Sequence, residues 1–205
     1  MTKKLANPDD KISVWGTKQF GGYAGVKHTA SRIKQFIPNS MIYVEAFAGM
    51  GRTCDENKHH KIILNDMSDF AVKTLQHNFK KSIITQLDFE LCVKENDSLD
   101  TFFLFDPPWE SNIYDGNNNL TYCNMKPSEY YSKLLDIVRT IKGNWIILSS
   151  CNKSRYQFKT NYYELIVESE LNVLFGRKAR TRLTSNKPLI IHNQKQTSIT
   201  DLFFL

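Results

Sequence analysis

The residues with the clearest chemical potential stand at Asp106-Pro107-Pro108-Trp109, directly after the apolar run Phe102-Phe103-Leu104-Phe105. Four apolar residues ending in a carboxylate, two prolines and an aromatic predict a buried strand that stops at a rigid edge. Prolines have a fixed φ and no N–H, so the carbonyls beside Asp106 are held in place without a donor of their own. An exocyclic amino group could give one N–H to the Asp106 carboxylate and one to the Pro107 carbonyl, while Trp109 stacks on the ring that carries it. The plain alternative is a strand end with a Pro-Pro turn and a core tryptophan.

Four further residues gain meaning from their order. The stretch 41–47 predicts a strand that runs into Ala48-Gly49-Met50-Gly51, the opening of a nucleotide-binding βα unit. Residues 62–66 predict a second strand ending in Asp66, where a carboxylate can accept both hydroxyls of a ribose. The loop is not the full Gly-x-Gly-x-x-Gly of dinucleotide enzymes, which favours a ligand with a ribose but no pyrophosphate. A third strand near 89–93 leads to Asp97, placed to meet an adenine amino group or solvent.

The elements that must carry these residues follow a βα alternation. A helix capped by Thr29 runs through Ala30, Ile33, Phe36 and Ile37 to Pro38. Another covers 68–79, with Phe70, Ala71, Leu75 and Phe79 on one side, and a third covers 127–142. The fourth strand is 102–105 and the fifth 144–151. Beyond these the pattern predicts a helix over 162–169 and strands at 171–175 and 188–192. The whole predicts an α/β fold around one mostly parallel sheet, with sites at the carboxyl ends of the strands.

Two loops look shaped for contact. Residues 15–27 hold four glycines and three aromatics around Tyr23, and 110–125 is Asn-rich with Gly116, Tyr114 and Tyr122, a candidate flap over the site. Residues 1–14 read as a loose arm.

Composition sets the bounds. At 205 residues, with 41% hydrophobic and 23% charged residues, the chain suits one globular domain over 1–205. No apolar run reaches membrane-span length and the N-terminus lacks a signal-peptide stretch, so a soluble intracellular protein is expected, with no membrane partner. The four cysteines form no Cys-x-x-Cys pair and His59-His60 points to no metal, so neither a disulfide framework nor a metal site is expected. Net charge is +6. From Leu171 onward Arg177, Lys178, Arg180, Arg182, Lys187 and Lys195 face the single acid Asp201, a candidate phosphate-binding surface.

In this order the motifs resemble the Dam-type (D12 class) N6-adenine methyltransferases. Tyr23-Ala24-Gly25-Val26-Lys27 is similar to the family's Trp-Ala-Gly-Gly-Lys element, and Val44-Glu45-Ala46-Phe47-Ala48-Gly49-Met50-Gly51 to its first cofactor motif. Leu64-Asn65-Asp66 matches its ribose-binding acid, and Asp106-Pro107-Pro108-Trp109 its catalytic tetrapeptide. Residues 180–192 resemble the family's ending more weakly. Three features depart from the family. Tyr is commoner than Trp at position 109, glycine is preferred at Val26, and the 39 residues between Asp66 and Asp106 leave no room for the usual target-recognition domain.

The resemblance implies a Rossmann-like class I methyltransferase with a seven-stranded, mostly parallel sheet and helices on both faces. It implies S-adenosylmethionine held by Tyr23, Lys27, Gly49, Gly51, Asp66 and Asp97, and methyl transfer to adenine N6 in DNA by Asp106, Pro107, Pro108 and Trp109. Tyr114, Tyr122, Arg177, Arg180 and Arg182 would meet the nucleic acid, and a second subunit could supply target reading. An RNA base methylase (adenine N6 or guanine N2) and a non-catalytic nucleic-acid-binding subunit are the alternatives. Cytosine C5 chemistry is excluded for want of a Pro-Cys nucleophile.

Overall fold

A computed structural model describes residues 27–107, 127–150, 162–172 and 177–192. Its strands are β1 (Ser40–Glu45), β2 (His59–Asn65), β3 (Ile83–Thr85), β4 (Thr101–Phe105), β5 (Asn144–Ser150), β6 (Tyr163–Asn172) and β7 (Arg177–Ser185). They form one seven-stranded sheet in the order β3-β2-β1-β4-β5-β7-β6. The first five are parallel, and β7 runs antiparallel to both β5 and β6.

The helices are α1 (Lys27–Ile33), which tightens into a 3-10 turn (Lys34–Phe36), α2 (Asp69–Asn78), α3 (Phe89–Asn96) and α4 (Pro127–Val138). The reason for two helical layers is legible in β4, which is buried at all five positions. Phe102 and Leu104 join a core with Ile33 of α1 and Leu75 of α2, whereas Phe103 and Phe105 join a second core with Phe89 of α3 and Leu134 of α4. A central parallel strand is apolar on both faces because helices cover both. Removing one of these phenylalanine rings would cost about 3–5 kcal/mol.

The expected class and strand number hold, but three of the seven strands lie elsewhere. Residues 89–93 are helix, not the third strand. Asp88 caps α3 by accepting from the Glu90 N–H at 2.9 Å, and Phe89, Cys92 and Val93 are buried while Leu91 is 43% exposed. That is the helical period; strand alternation would have buried Leu91 beside Phe89 and Val93. The third strand is instead the three-residue Ile83–Thr85, too short to show a pattern.

The C-terminal third departs further. The helix expected over 162–169 is β6, where Leu165 and Val167 turn inward and Glu164 and Ile166 stay exposed, a period of two. Leu171 and Asn172 end that strand rather than opening another, and 188–191 is irregular rather than the seventh strand. The seventh is the basic stretch itself, with Thr181, Leu183, Thr184 and Ser185 buried. Two smaller corrections concern helix ends: α1 begins at Lys27, so Thr29 is not its cap, and α4 ends at Val138.

The connection from β1 to β2, residues 46–58, contains no helix. It descends through a series of turns, with Gly51 N–H on Ala48 O at 2.7 Å and Cys54 N–H on Gly51 O at 3.1 Å. The expected βα unit after the glycines is therefore a strand followed by a compact loop. Gly51 is required there: its φ is +64°, and a Cβ would sit 2.6 Å from the Phe79 ring.

Candidate active site

The carboxyl ends of β1, β2 and β4 lead directly into the glycine turn, Asp66 and Asp106. Leu64 and Leu104 are the register partners of Glu45, so Asp66 and Asp106 each stand two residues past a position level with Glu45. Side chains two apart in a strand share a face. Asp66 and Asp106 thus follow the carboxyl ends of the two strands that flank β1, and Asp106 is near enough for its charge to act on Glu45.

Asp66 is the pivot of this edge. Its Oδ2 accepts from the Gly49 N–H at 2.8 Å and its Oδ1 from the Ser68 N–H at 2.9 Å, and the residue is only 4% exposed. The carboxylate therefore ties the glycine turn to the start of α2. Gly49 meets it in the left-handed region, at φ +52°, which costs a glycine little. A carboxylate has about four acceptor positions, and Asp66 serves these two backbone donors with one oxygen each.

Asn65, one residue earlier, is fully buried. Its amide donates to Ala46 O at 3.1 Å and Leu87 O at 2.9 Å, and its oxygen accepts from Thr85 Oγ1 and the Leu87 N–H, both at 2.8 Å. All four amide positions are used, which fixes the ends of β1 and β3 relative to each other. The sequence motifs assign Asn65 no task; an amide at a buried-strand position is the signal that marks it.

Glu45 was likewise passed over, although an acid inside the apolar run of β1 marks it. It is 3% exposed, and its Oε1 accepts from Tyr43 Oη at 2.9 Å. Its Oε2 is buried with no hydrogen-bond partner among the described residues. Burial pushes the carboxyl up to about 8, with the negative charge of Asp106 adding to the rise and the Tyr43 hydroxyl and Lys34 opposing it.

Asp106 is half-buried and follows β4 directly, and Pro107 is buried. Pro108, Trp109, Tyr114, Tyr122, Tyr23 and both expected contact loops lie outside the described residues. Lys27 is the first residue of α1.

Asp97 is a correction. It follows α3 at the amino edge of the sheet, where its carboxylate accepts from the Lys142 N–H at 2.9 and 3.1 Å and the Gly143 N–H at 3.1 Å. It ties the entry of β5 to the entry of β4, at the end opposite Asp66. The misplacement follows from reading α3 as a strand, since a residue after a strand in this sheet lies at the carboxyl edge and one after a helix lies at the amino edge.

The basic strand also reads differently in three dimensions. The β6–β7 register sets Glu168 opposite Arg180 and Glu170 opposite Lys178. Arg182, its side chain 18% exposed, has Nε 4.0 Å from Glu164 Oε1. Three glutamates that precede Leu171 in sequence are thus set beside this strand by the sheet. Arg177, Arg180 and Arg182 are joined in one strand, but not as a lone basic surface.

Among the described residues no cluster of His, Cys, Asp and Glu could hold a metal ion, and no helix is long and apolar enough to cross a membrane.

No protein-family model matches the sequence, and no curated protein matches it, so the Dam-type resemblance rests on the quoted motifs. Solved structures do resemble the chain. A precorrin-8W decarboxylase from Methanobacterium thermoautotrophicum is 13% identical over 78% of this chain and 89% of its own, with a TM-score of 0.50. A precorrin-6y C5,15-methyltransferase from Geobacter metallireducens is 6% identical over 77% and 86%, also at 0.50. An rRNA methylase from Streptococcus thermophilus is 10% identical over 78% and 93%, at 0.49. At such identities the likeness is one of architecture alone, and the two structures at 0.50 show a Rossmann-like fold.

Proposed function

We propose that the carboxyl edge of this sheet binds S-adenosylmethionine and that the chain transfers its methyl group to the N6 amino group of adenine in DNA. The observation that carries the reading is Asp66, held between the Gly49 and Ser68 N–H groups at the same edge as Asp106 and Pro107. A glycine turn beside a ribose-type acid suits a nucleoside. The turn leads into no helix, so it lacks the dipole and the row of N–H groups that hold phosphates. That combination suits a ligand with a ribose and no phosphate.

S-adenosylmethionine supplies an electrophilic methyl group on a sulfonium. Asp66 would hold its ribose, with Gly49 and Gly51 shaping the turn and Tyr23 and Lys27 contributing as the resemblance implies. Asp106 and the Pro107 carbonyl would orient the target amine and offset the positive charge that grows on it, which is positioning plus electrostatics. Trp109 would stack on the unstacked base, a contact worth about 1–3 kcal/mol. Tyr114 and Tyr122 would line the nucleic-acid path. Arg177, Arg180 and Arg182 would add a modest electrostatic attraction, reduced by the glutamates of β6.

RNA is the second reading, and one observation favours it. Residues 67–105 are consumed by α2, β3, α3 and β4, where DNA readers of the resembled family carry a recognition domain. If DNA is the substrate, a second subunit or a short, degenerate target follows. Mass spectrometry of nucleosides after incubation with labelled S-adenosylmethionine tests both readings. N6-methyladenine from DNA is expected; methylated bases from RNA alone would shift the substrate, and cofactor binding with no product from either would leave a non-catalytic subunit.

A further inference from the structure

The two outer strands of the sheet are unlike. β3, at one end of the strand order, is three residues long, whereas β6, at the other end, runs for ten and pairs, among the described residues, only with β7. We propose that the outer edge of β6 is a docking site for an extended, basic segment of a partner protein, which adds an eighth strand to the sheet. The site depends on topology, register and charge alone and is independent of the methyl-transfer reading, although it offers a place for the second subunit that a DNA substrate calls for.

An open sheet edge presents a row of unpaired N–H and C=O groups, and proteins commonly guard it with short strands, lysine or proline. β3 is guarded by its length. β6, Tyr-Glu-Leu-Ile-Val-Glu-Ser-Glu-Leu-Asn, has neither proline nor lysine, and its ladder to β7 is regular from Tyr163 to Glu170. Tyr163 is 49% and Ile166 42% exposed. An odd and an even position lie on opposite faces of a strand, so neither face is closed over at this end of β6.

Charge selects the occupant. Glu164, Ile166, Glu168 and Glu170 stand at alternate positions and so form one row on one face. On the inner side β7 answers this row with Arg182 opposite Ile166, Arg180 opposite Glu168 and Lys178 opposite Glu170; among the described residues no strand answers it on the outer side. The Glu164 side chain stays 41% exposed even with Arg182 Nε 4.0 Å away. A second copy fits poorly. An antiparallel pair of β6 strands centred on Ile166, Val167 or Glu168 sets Glu164 opposite Glu168, Glu164 opposite Glu170, or Glu168 opposite itself, and like charges directly opposite are destabilising. Nucleic acid is repelled by the same row. A strand with lysine or arginine at alternate positions and an apolar residue level with Ile166 satisfies the edge and the charges together, by the strand-addition mode of peptide recognition.

A synthetic peptide with the sequence of β7, residues 177–185, carries a basic pattern that matches β6 and serves as the probe. Hydrogen exchange of the full chain is followed by mass spectrometry as the peptide is raised to millimolar concentration. Slowed exchange within β6 is expected, with β5 and β7 unchanged and the effect weakened by added salt. The same peptide with Lys178→Glu, Arg180→Glu and Arg182→Glu should give no protection, and Glu164→Gln with Glu168→Gln in the chain should weaken peptide binding by about threefold to tenfold. Absence of protection at millimolar peptide, equal protection by the acidic peptide, or faster exchange in β7 through replacement of that strand overturns the proposal. Protection of β6 that grows with protein concentration and needs no peptide assigns the edge to a second copy and overturns it as well. The wild-type measurement decides the matter even if the variant does not fold, and every outcome leaves the cofactor reading standing.

Discussion

Asp66 and Asp97 make a natural pair for comparison. Each is an aspartate whose carboxylate accepts backbone N–H groups from a distant loop, Gly49 and Ser68 for the first, Lys142 and Gly143 for the second. Locally they do the same work of fastening a connection. They differ in which edge of the sheet they occupy. At the carboxyl edge the fastening joins the glycine turn to the start of α2, the edge at which open α/β sheets bind ligands. At the amino edge it sits beside the starts of β4 and β5. Hydrogen-bond chemistry does not tell the two aspartates apart; their place in the sheet topology does.

The largest effect that would sharpen this contrast is expected at Asp106. Asp106→Ala should reduce methyl transfer by at least about a hundredfold, since loss of alignment near 1 Å costs on that order. Cofactor binding should persist in part. Wild-type turnover by the folded variant would break the assignment of the carboxyl edge.

The two edges should also differ in the sign of their pH dependence. Glu45 has its midpoint raised from 4.5 to about 8 by burial, so the folded state binds more protons than the unfolded one, and stability falls as pH rises between those values. His59, at the amino end of β2, is lowered from 6.5 to about 4, first by burial and then by Lys58, so its contribution is lost as pH falls through that interval. Urea melts across pH should show both slopes. Glu45→Gln should remove the upper one, an effect on the order of a few kcal/mol at pH 8, and leave the lower one in place. A variant that kept the upper slope would remove Glu45 as its origin.

Substituting the two aspartates tests the comparison directly. Asp66→Ala should weaken S-adenosylmethionine binding by about 1.5–3 kcal/mol, the range for hydrogen bonds to a charged group. Asp97→Ala should cost about 1–3 kcal/mol of folding stability through its unsatisfied N–H groups and leave ligand affinity unchanged. Calorimetry and thermal melts on both variants would show it. Equal loss of affinity in the two would contradict the placement of Asp97.

The smallest effect is expected on β7. Three full phosphate contacts would contribute a slope of about 2–3 in log affinity against log salt. Because β6 sets glutamates beside this strand, replacing Arg177, Arg180 and Arg182 by alanine should change the slope by less than about one unit. A larger change in binding assays would restore the strand as a nucleic-acid surface.

The amino-acid sequence by itself determined the α/β class, the fully buried β4 and the carboxyl-edge positions of Gly49, Gly51, Asp66 and Asp106. Long apolar runs, glycines in turns and acids after strands are local signals, and they survive in the fold because neighbouring strands only add to them. Tertiary structure decided the rest. Residues 89–93 satisfy strand alternation and helical spacing alike, and only the core that receives Phe89, Cys92 and Val93 separates the two. The charge on β7 depended on a neighbour, β6, whose glutamates precede the basic run in sequence but pair with it in space. Glu45 and Asn65 took on meaning only when burial removed the water that would otherwise have satisfied them, since a polar group's cost depends on what surrounds it rather than on its type.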